Sequence, residues 1–169
     1  MGKKNSSLKV LLIEDCDTDA FTIQKALCEY KEDSQCMHVA TLKAGEEILQ
    51  KGGVDVLLLD LGLPDTASAR DTYEQTKKWC ERLPVIIMTN LKDHALAKIM
   101  VHEGVADFLN KDIIIKDPKH IQDSIDFALE RHDASRKLLF EKEKAEQESK
   151  QKDAVLSCFM GGYSSGPEK

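Results

Sequence analysis

The sequence predicts an α/β fold built around a central parallel sheet. Three short segments, residues 9–14, 54–60 and 85–89, each contain a run of Val, Leu and Ile that is typical of strands buried on both faces. Residues 35–40 and 106–109 are weaker strand candidates that would complete five strands. Helical segments separate these strands. A strand followed by a helix, repeated five times, predicts an open sheet with right-handed crossovers and helices on both faces.

The first two helices have clear boundaries. The segment Asp17–Tyr30 begins at an N-cap candidate, and its apolar residues recur at helical spacing. The residues on the shared face are Ala20, Ile23, Ala26 and Leu27. The segment Leu42–Lys51 ends before Gly52, and glycine is common just after a helix. Both segments are therefore predicted to be helices that connect strands.

The third and fourth helices have other start and stop signals. Ser68 and Asp71 have the spacing of a capping box for a helix that runs to about Cys80. Residues 93–103 form the next helical segment, which closes before Gly104. These signals predict two further crossover helices.

The last helix is predicted to extend beyond the sheet. Asp117 and Pro118 supply an N-cap and a first-turn proline, and residues 131–153 continue without glycine or proline while becoming strongly charged. Two charged pairs in this stretch have the order and spacing that stabilise a helix. They are Glu146 with Lys150 and Glu148 with Lys152. A protruding helix is the prediction, and a frayed, solvated tail is the alternative that the sequence leaves open.

The inner face of this last helix also has the spacing of a coiled-coil seam, with alternating steps of four and three residues. Its positions are Ile121, Ile125, Ala128, His132, Ser135 and Leu139. Because His132 and Ser135 are polar, the seam is weak and predicts at most a marginal homodimer, with a monomer as the alternative.

The length of 169 residues suits one domain with an appendage. We divide the chain into a flexible N-terminus at 1–7, a domain at 8–132, a helical extension and candidate coiled coil at 133–160, and a flexible tail at 161–169. The net charge of -6 gives no electrostatic reason to bind nucleic acid or an anionic membrane. The apolar runs are strand-sized, and the five cysteines form no metal or disulfide pattern. A cytoplasmic location is therefore expected.

Carboxylates end two of the predicted strands. In known α/β proteins with the doubly wound strand order 2-1-3-4-5, the functional crevice lies between strands one and three. We take this rule over for the present chain. Strand one ends in Glu14 and Asp15, and strand three ends in Asp60. Converging carboxylates need positive compensation, and an all-oxygen site suits Mg²⁺, which often shares its remaining positions with phosphate. The cluster therefore predicts metal and phosphoryl chemistry, although strand ends also carry acids merely because they reach solvent.

Two further strand ends offer groups that a bound phosphoryl group needs. Thr89 ends strand four, and its hydroxyl can donate a hydrogen bond. Lys111 follows strand five, and its ammonium can neutralise charge. Each residue is ordinary alone, so only the joint arrangement indicates a site.

The chain resembles the response regulator receiver family of bacterial two-component systems over about residues 8–132. The resemblance rests on the segments LLLDLGLPD and GVADFLNK together with the residues just described. It implies a flavodoxin-like sheet of order 2-1-3-4-5 with an extended C-terminal helix. It also implies a phosphoryl-accepting switch rather than an enzyme, a domain that assists only its own phosphorylation and dephosphorylation. The partners it implies are a histidine kinase or phosphotransfer protein and an unknown output protein.

The resemblance also assigns roles to individual residues. Asp60 corresponds to the phosphoacceptor, and Lys111 to the residue that contacts the phosphoryl group. Thr89 and Phe108 correspond to a coupled switch pair. The implied Mg²⁺ ligands are Glu14, Asp15, Asp60 and the Gly62 carbonyl.

Two positions depart from the usual family pattern. Asp112 stands where proline usually follows the lysine, so a trans peptide bond and an altered loop are expected, because a non-proline cis bond costs about 2.5–4 kcal/mol. Glu14 stands where a second Asp is commoner, so it is expected to reach the metal through water.

Other functions remain open at this stage. A phosphatase or phosphotransferase with an aspartate nucleophile usually has a second Asp two residues later, where this chain has Gly62. The remaining alternatives are a phosphorylation-independent interaction module of the same fold and the N-terminal part of a larger signalling protein.

Overall fold

Five strands form one parallel sheet. The computed structural model describes residues 7–30, 34–90, 94–117 and 119–161. The strands are β1 (Lys9–Ile13), β2 (Gln35–Val39), β3 (Val56–Asp60), β4 (Val85–Thr89) and β5 (Asp107–Asn110). They lie in the order β2-β1-β3-β4-β5, and all neighbouring pairs are parallel. This order confirms the predicted flavodoxin-like sheet.

Helices connect the strands, and two more helices follow the last strand. They are α1 (Asp17–Tyr30), α2 (Leu42–Lys51), α3 (Ala69–Thr76), α4 (His94–His102), α5 (Lys111–Lys116) and α6 (Lys119–Gly161). The first two have the predicted bounds. The third is shorter than predicted, because Lys77–Trp79 is a separate 3-10 turn. The short helix α5 was not predicted.

Side-chain caps explain several helix starts. The Ser68 hydroxyl accepts a hydrogen bond from the Asp71 amide at 3.2 Å, as the capping box predicted. The Asp71 carboxylate reaches back to the amide of Ala67, at 2.8 Å, one residue earlier than the usual partner. The expected start of the fourth helix at Asp93, and Pro118, lie outside the described residues.

Two apolar layers cover the two faces of the sheet. The first combines residues of β1, β3 and β4 with the inner faces of α1 and α6, including Leu27 and Ile125. The second combines the alternate residues of those strands with residues of α2, α3 and α4, including Leu49 and Met100. Helices therefore lie on both faces, as alternating strands and helices require.

The helix α6 begins in the first of these layers. Its residues Ile121, Ile125 and Ala128 are fully buried there, so these three positions of the predicted seam pack within the chain. The chain divides into two units between His132 and Asp133.

The second unit is highly charged and helical. Its glutamates come within 4.0 Å of the preceding lysines, Lys142 with Glu146 and Lys144 with Glu148, instead of forming the predicted pairs. In the described part of the chain, no helix is long and apolar enough to cross a membrane. The expected flexible segments, 1–7 and 161–169, lie outside the described residues except for Ser7 and Gly161.

Candidate functional site

The sheet brings three carboxylates together at its carboxyl edge. Ile13 pairs with Leu59, so Glu14, which follows β1, and Asp60, which ends β3, lie at the same level of the sheet. One oxygen each from Glu14, Asp15 and Asp60 lies within 4.8 Å of the others. Glu14 is fully buried and Asp60 is only 7% exposed, whereas Asp15 is exposed. Two of the three acids are thus held away from solvent, where the desolvation of charge is costly.

Lys111 compensates this acidic cluster. Its ammonium nitrogen lies 2.7 Å from Glu14 Oε2, 3.0 Å from Asp60 Oδ2 and 3.3 Å from Asp19 Oδ2. Burial alone would lower the pKa of Lys111, but the hydrogen bonds to Glu14 and Asp60 outweigh it and raise the pKa above 10.5. The lysine is therefore a fixed cation at the centre of the cluster.

Asp19 is a site residue that the sequence analysis missed. It lies in the first turn of α1, and that turn begins two residues after Asp15. The signal was the second acid in Asp17-Thr18-Asp19, which was interpreted only as part of a helix start. Helical spacing turns Asp19 toward Lys111, so α1 contributes to the site.

Glu14 has an unusual environment for an ionisable group. Its Oε1 accepts hydrogen bonds from the Cys16 amide at 3.2 Å and from Lys111. Burial raises the pKa of Glu14 above 4.5, and the hydrogen bond from Lys111 opposes this only in part. Its Oε2 lies near the Lys111 ammonium but accepts no hydrogen bond of good geometry from the described residues.

The donor set fits a small hard cation. Three carboxylates contact one ammonium, and Asp15 adds a fourth carboxylate beside Glu14 and Asp60, so the cluster holds more acidic groups than cations. The buried Oε2 of Glu14 lies 2.7 Å from the Lys111 ammonium, so a bound cation would share this oxygen with the lysine. A site made of carboxylate oxygens, with no nitrogen or sulfur ligand, suits Mg²⁺ and Mn²⁺. Glu14, Asp15 and Asp60 can therefore hold a divalent metal.

An open cleft of about 440 Å³ lies over Asp60. Its lining residues are Asp60, Gly62, Ala69, Thr89, Asn90 and Lys111. A Cβ on Gly62 would lie 3.5 Å from Asp60 Oδ2, so the Gly62 backbone passes directly beside that carboxylate. Thr89 ends the strand next to Asp60 and is 3% exposed. The cleft can admit a phosphoryl-sized group to the carboxylate.

Comparisons with known proteins agree with this arrangement. The family model of the response regulator receiver domain matches residues 10–126, which include all of the five strands except Lys9. The chain belongs to the response regulator receiver family. No curated protein matches it.

Solved receiver structures have the same fold. The signal receiver domain of a protein named as a Luxo repressor in Vibrio parahaemolyticus is 25% identical, with a TM-score of 0.66 over 79% of this chain and 98% of that one. A receiver domain protein from Clostridium thermocellum is 25% identical, with a TM-score of 0.63 over 78% and 98% of the two chains. The Mn²⁺-bound form of the response regulator Rcp1 is 22% identical, with a TM-score of 0.56 over 72% and 89%.

The predicted switch pair of this receiver lies on one face of the sheet. Phe108 pairs with Ile87, and Thr89 pairs with Asn110. Paired residues of adjacent strands point to the same face of the sheet, and so do residues two positions apart in one strand. Thr89 is two positions after Ile87, so Thr89 and Phe108 are diagonal neighbours on one face. Phe108 is half-buried and packs against the second apolar layer. The structure thus brings these two residues together on adjacent strands.

Asp112 stands where the family usually has proline, and the loop after β5 has the trans peptide bond that this difference predicts. The described residues contain no cis peptide bond, so the bond after Lys111 is trans. The Asn110 side chain accepts a hydrogen bond from the Asp112 amide at 2.8 Å and caps α5. A proline at 112 could not donate this bond. Aspartate therefore allows a short helix that begins at Lys111.

Proposed function

We propose that this receiver accepts a phosphoryl group on Asp60 from a histidine kinase or phosphotransfer protein in the presence of Mg²⁺, and that it signals by changing conformation. The observation that carries the proposal is the position of the Asp60 carboxylate. It opens to the cleft 3.0 Å from the Lys111 ammonium, with oxygens of Glu14 and Asp15 within 4.8 Å. The proposed exchange occurs in the cytoplasm, the usual location of this family.

The proposed reaction is an in-line displacement at phosphorus. An Asp60 oxygen forms a bond to phosphorus while the bond from phosphorus to the phosphohistidine nitrogen breaks, and the electron pair leaves with the imidazole. An acyl phosphate remains on the chain. Lys111 positions Asp60 and offsets negative charge on the transferred group. The chain therefore acts mainly by positioning and electrostatics.

Metal binding belongs to the same proposal. Glu14, Asp15 and Asp60 would hold the ion, and the family resemblance adds the Gly62 carbonyl. Mg²⁺, when bound, supplies positive charge that stabilises the charge developing on the phosphoryl oxygens. A receiver of this fold, Rcp1, has been solved with Mn²⁺ bound, which supports a divalent ion in this fold.

The proposed response passes from Thr89 to Phe108. The Thr89 hydroxyl turns toward the phosphoryl oxygens, and Phe108 moves into the space that Thr89 leaves. Their diagonal placement on adjacent strands supports this coupling. The phosphoryl group thereby shifts an equilibrium between two conformations of the β4 and β5 surface.

No turnover of a separate substrate is proposed, because the transferred group stays on the chain until hydrolysis. Intact-mass spectrometry after incubation with acetyl phosphate tests the acceptor. We expect one added phosphoryl group with Mg²⁺, none with EDTA and none in Asp60→Asn. The matched control is Asp55→Asn, since Asp55 is an exposed acid just before the same strand. Equal labelling of Asp60→Asn would refute the assignment, and absence of labelling in every form would favour a phosphorylation-independent module.

We also propose that α6 forms a weak homodimer through its part beyond His132. Large apolar side chains are more than half exposed near both ends of that part. They are Leu138, Leu139, Phe140, Val155 and Leu156. Lysines and glutamates alternate between them, so a second copy of the same helix can offer opposite charges. Sedimentation velocity should detect a dimer that Leu138→Glu with Leu139→Glu abolishes, and a wild type that is monomeric at every concentration would refute this proposal.

A further inference from the structure

The loop between β3 and α3 carries Gly62 and is held on its N-terminal side by a buried threonine. Thr72 is fully buried in α3, and its hydroxyl donates a hydrogen bond to the Leu61 carbonyl at 2.9 Å. Because this donor bonds the residue directly before Gly62, that side of the loop is fixed. The other side of the loop needs a second anchor.

Asp65 is that anchor, and it bonds an element outside the loop. Its Oδ1 accepts a hydrogen bond from the Leu42 amide, and its Oδ2 accepts one from the Lys43 amide, both at 3.0 Å. Slight burial would raise the pKa of Asp65, but the bonds from Lys43 and Leu42 lower it below 3.8. Both carboxylate oxygens thus cap the first turn of α2 from the neighbouring loop. We call this pair of hydrogen bonds the Asp65 clasp.

The helix that receives the clasp is itself fixed to the sheet. Leu42 is 2% exposed in the second apolar layer. Gly45 packs against Ile13 so closely that a Cβ there would collide with the Ile13 side chain. Ile13 directly precedes Glu14, so α2 is packed against the strand that delivers this acid. The clasp therefore ties the Gly62 loop to the strand of Glu14.

We infer that Asp65 is a positioning residue for the divalent-cation site. Through the clasp it fixes the loop whose backbone passes the Asp60 carboxylate at Gly62. The inference rests on the proposed function, since it concerns the same site. Asp65 is not one of the three clustered acids that could ligate the cation, so it acts on the site only through the loop. Groups that orient ligands from outside typically change metal affinity by about 10- to 100-fold when removed.

The chain offers a matched control for the loss of a helix cap. The Thr41 hydroxyl accepts a hydrogen bond from the Ala44 amide at 3.3 Å, so it caps the same first turn of α2. Thr41→Ala weakens that turn without releasing the loop. Asp65→Asn removes the charge but retains an oxygen that can accept one of the two bonds.

Titration calorimetry of the full chain with Mg²⁺ alone tests the inference. We expect Asp65→Ala to weaken Mg²⁺ binding by about tenfold, Asp65→Asn to lie nearer the wild type, and Thr41→Ala to bind like the wild type. At saturating Mg²⁺, Asp65→Ala should be labelled by acetyl phosphate at the wild-type rate, with only its Mg²⁺ requirement raised. Thermal unfolding without Mg²⁺ measures how far each variant weakens the fold.

Three results would overturn the inference. Unchanged affinity in Asp65→Ala means that the clasp does not position the site. Equal weakening in Asp65→Ala and Asp65→Asn means that charge alone acts, and equal weakening in Thr41→Ala means that helix capping alone acts. A wild type that binds Mg²⁺ but is not phosphorylated refutes the proposed function, while the ranking of the variants still decides the role of Asp65.

Discussion

The Lys111 ammonium lies 2.7 Å from Oε2 of Glu14, although these residues are 97 positions apart in the chain. Glu14 follows β1 and Lys111 begins α5, so the contact joins the start of the domain to the segment after its last strand. Both side chains are almost fully buried, at 0% and 7% exposure. Such a pair adds little stability relative to apolar packing, but removing one partner leaves a buried charge unpaired. The stability of the metal-free protein should therefore depend on both side chains.

Lys111→Met should destabilise the metal-free protein. The substitution leaves Glu14 and Asp60 without their shared cation, and breaking a buried pair costs about 3–5 kcal/mol. Mg²⁺ should restore part of the loss, because it supplies charge to the same carboxylates. Urea unfolding in EDTA and in Mg²⁺ measures both effects, with the exposed Lys116→Met on the same helix as the control. A loss in EDTA no larger than that of Lys116→Met would contradict the prediction.

Glu14→Gln should stabilise the metal-free protein at neutral pH. Burial raises the folded-state pKa of Glu14 despite the hydrogen bond from Lys111, so the fold favours its neutral form, which glutamine imitates. The lysine is not left unpaired in this variant, because Asp60 and Asp19 still contact it. The contribution of Glu14 to the free energy of unfolding is therefore fully present below its unfolded-state pKa of 4.5. It is lost as pH rises through the raised folded-state pKa. The advantage of the variant should grow across that window and shrink toward pH 4.5. Urea unfolding in EDTA at several pH values checks this, and a difference independent of pH would count against it.

Gly45→Ala should destabilise the fold even though alanine favours helices. The added Cβ collides with the Ile13 side chain, and overpacking costs about 1–3 kcal/mol, against about 1 kcal/mol gained from helix propensity. Ile13→Val removes the nearest methyl group, so the same change should cost less in that background. Thermal unfolding of the wild type, the two single variants and the double variant gives the coupling free energy between the two positions. A more stable Gly45→Ala protein would show that the helix can move away from the strand.

Thr89→Ala should separate phosphorylation from the response. The Asp60 carboxylate remains, so acetyl phosphate should still label the protein, whereas the hydroxyl that we propose turns toward the phosphoryl group is absent. Trp79, the single tryptophan, packs in the same apolar layer as Phe108 and can report its movement. Beryllofluoride should change the Trp79 emission in the wild type and in Thr89→Ser but not in Thr89→Ala. An identical emission change in all three proteins would remove Thr89 from the switch.

Local signals in the sequence determined the elements of this fold and the edge where its acids meet. Unbroken runs of Val, Leu and Ile report strands buried on both faces, and caps such as Ser68 report helix starts, because these preferences act within a few residues. Parallel strands end at one edge, so Glu14 and Asp60 could be brought together without coordinates. The family resemblance supplied their roles.

Only the tertiary structure decided how these groups are paired. Asp19 reaches Lys111 and Asp65 reaches Leu42 because helices pack on the sheet at particular angles, and no local pattern encodes a contact across 92 or 23 positions. The short helix α5 was missed because six residues have too little periodicity to identify a helix. The burial of Glu14, which sets its pKa, likewise depends on side chains brought from distant segments. The sequence therefore determined which residues end the strands at the site, and packing determined which charges compensate one another.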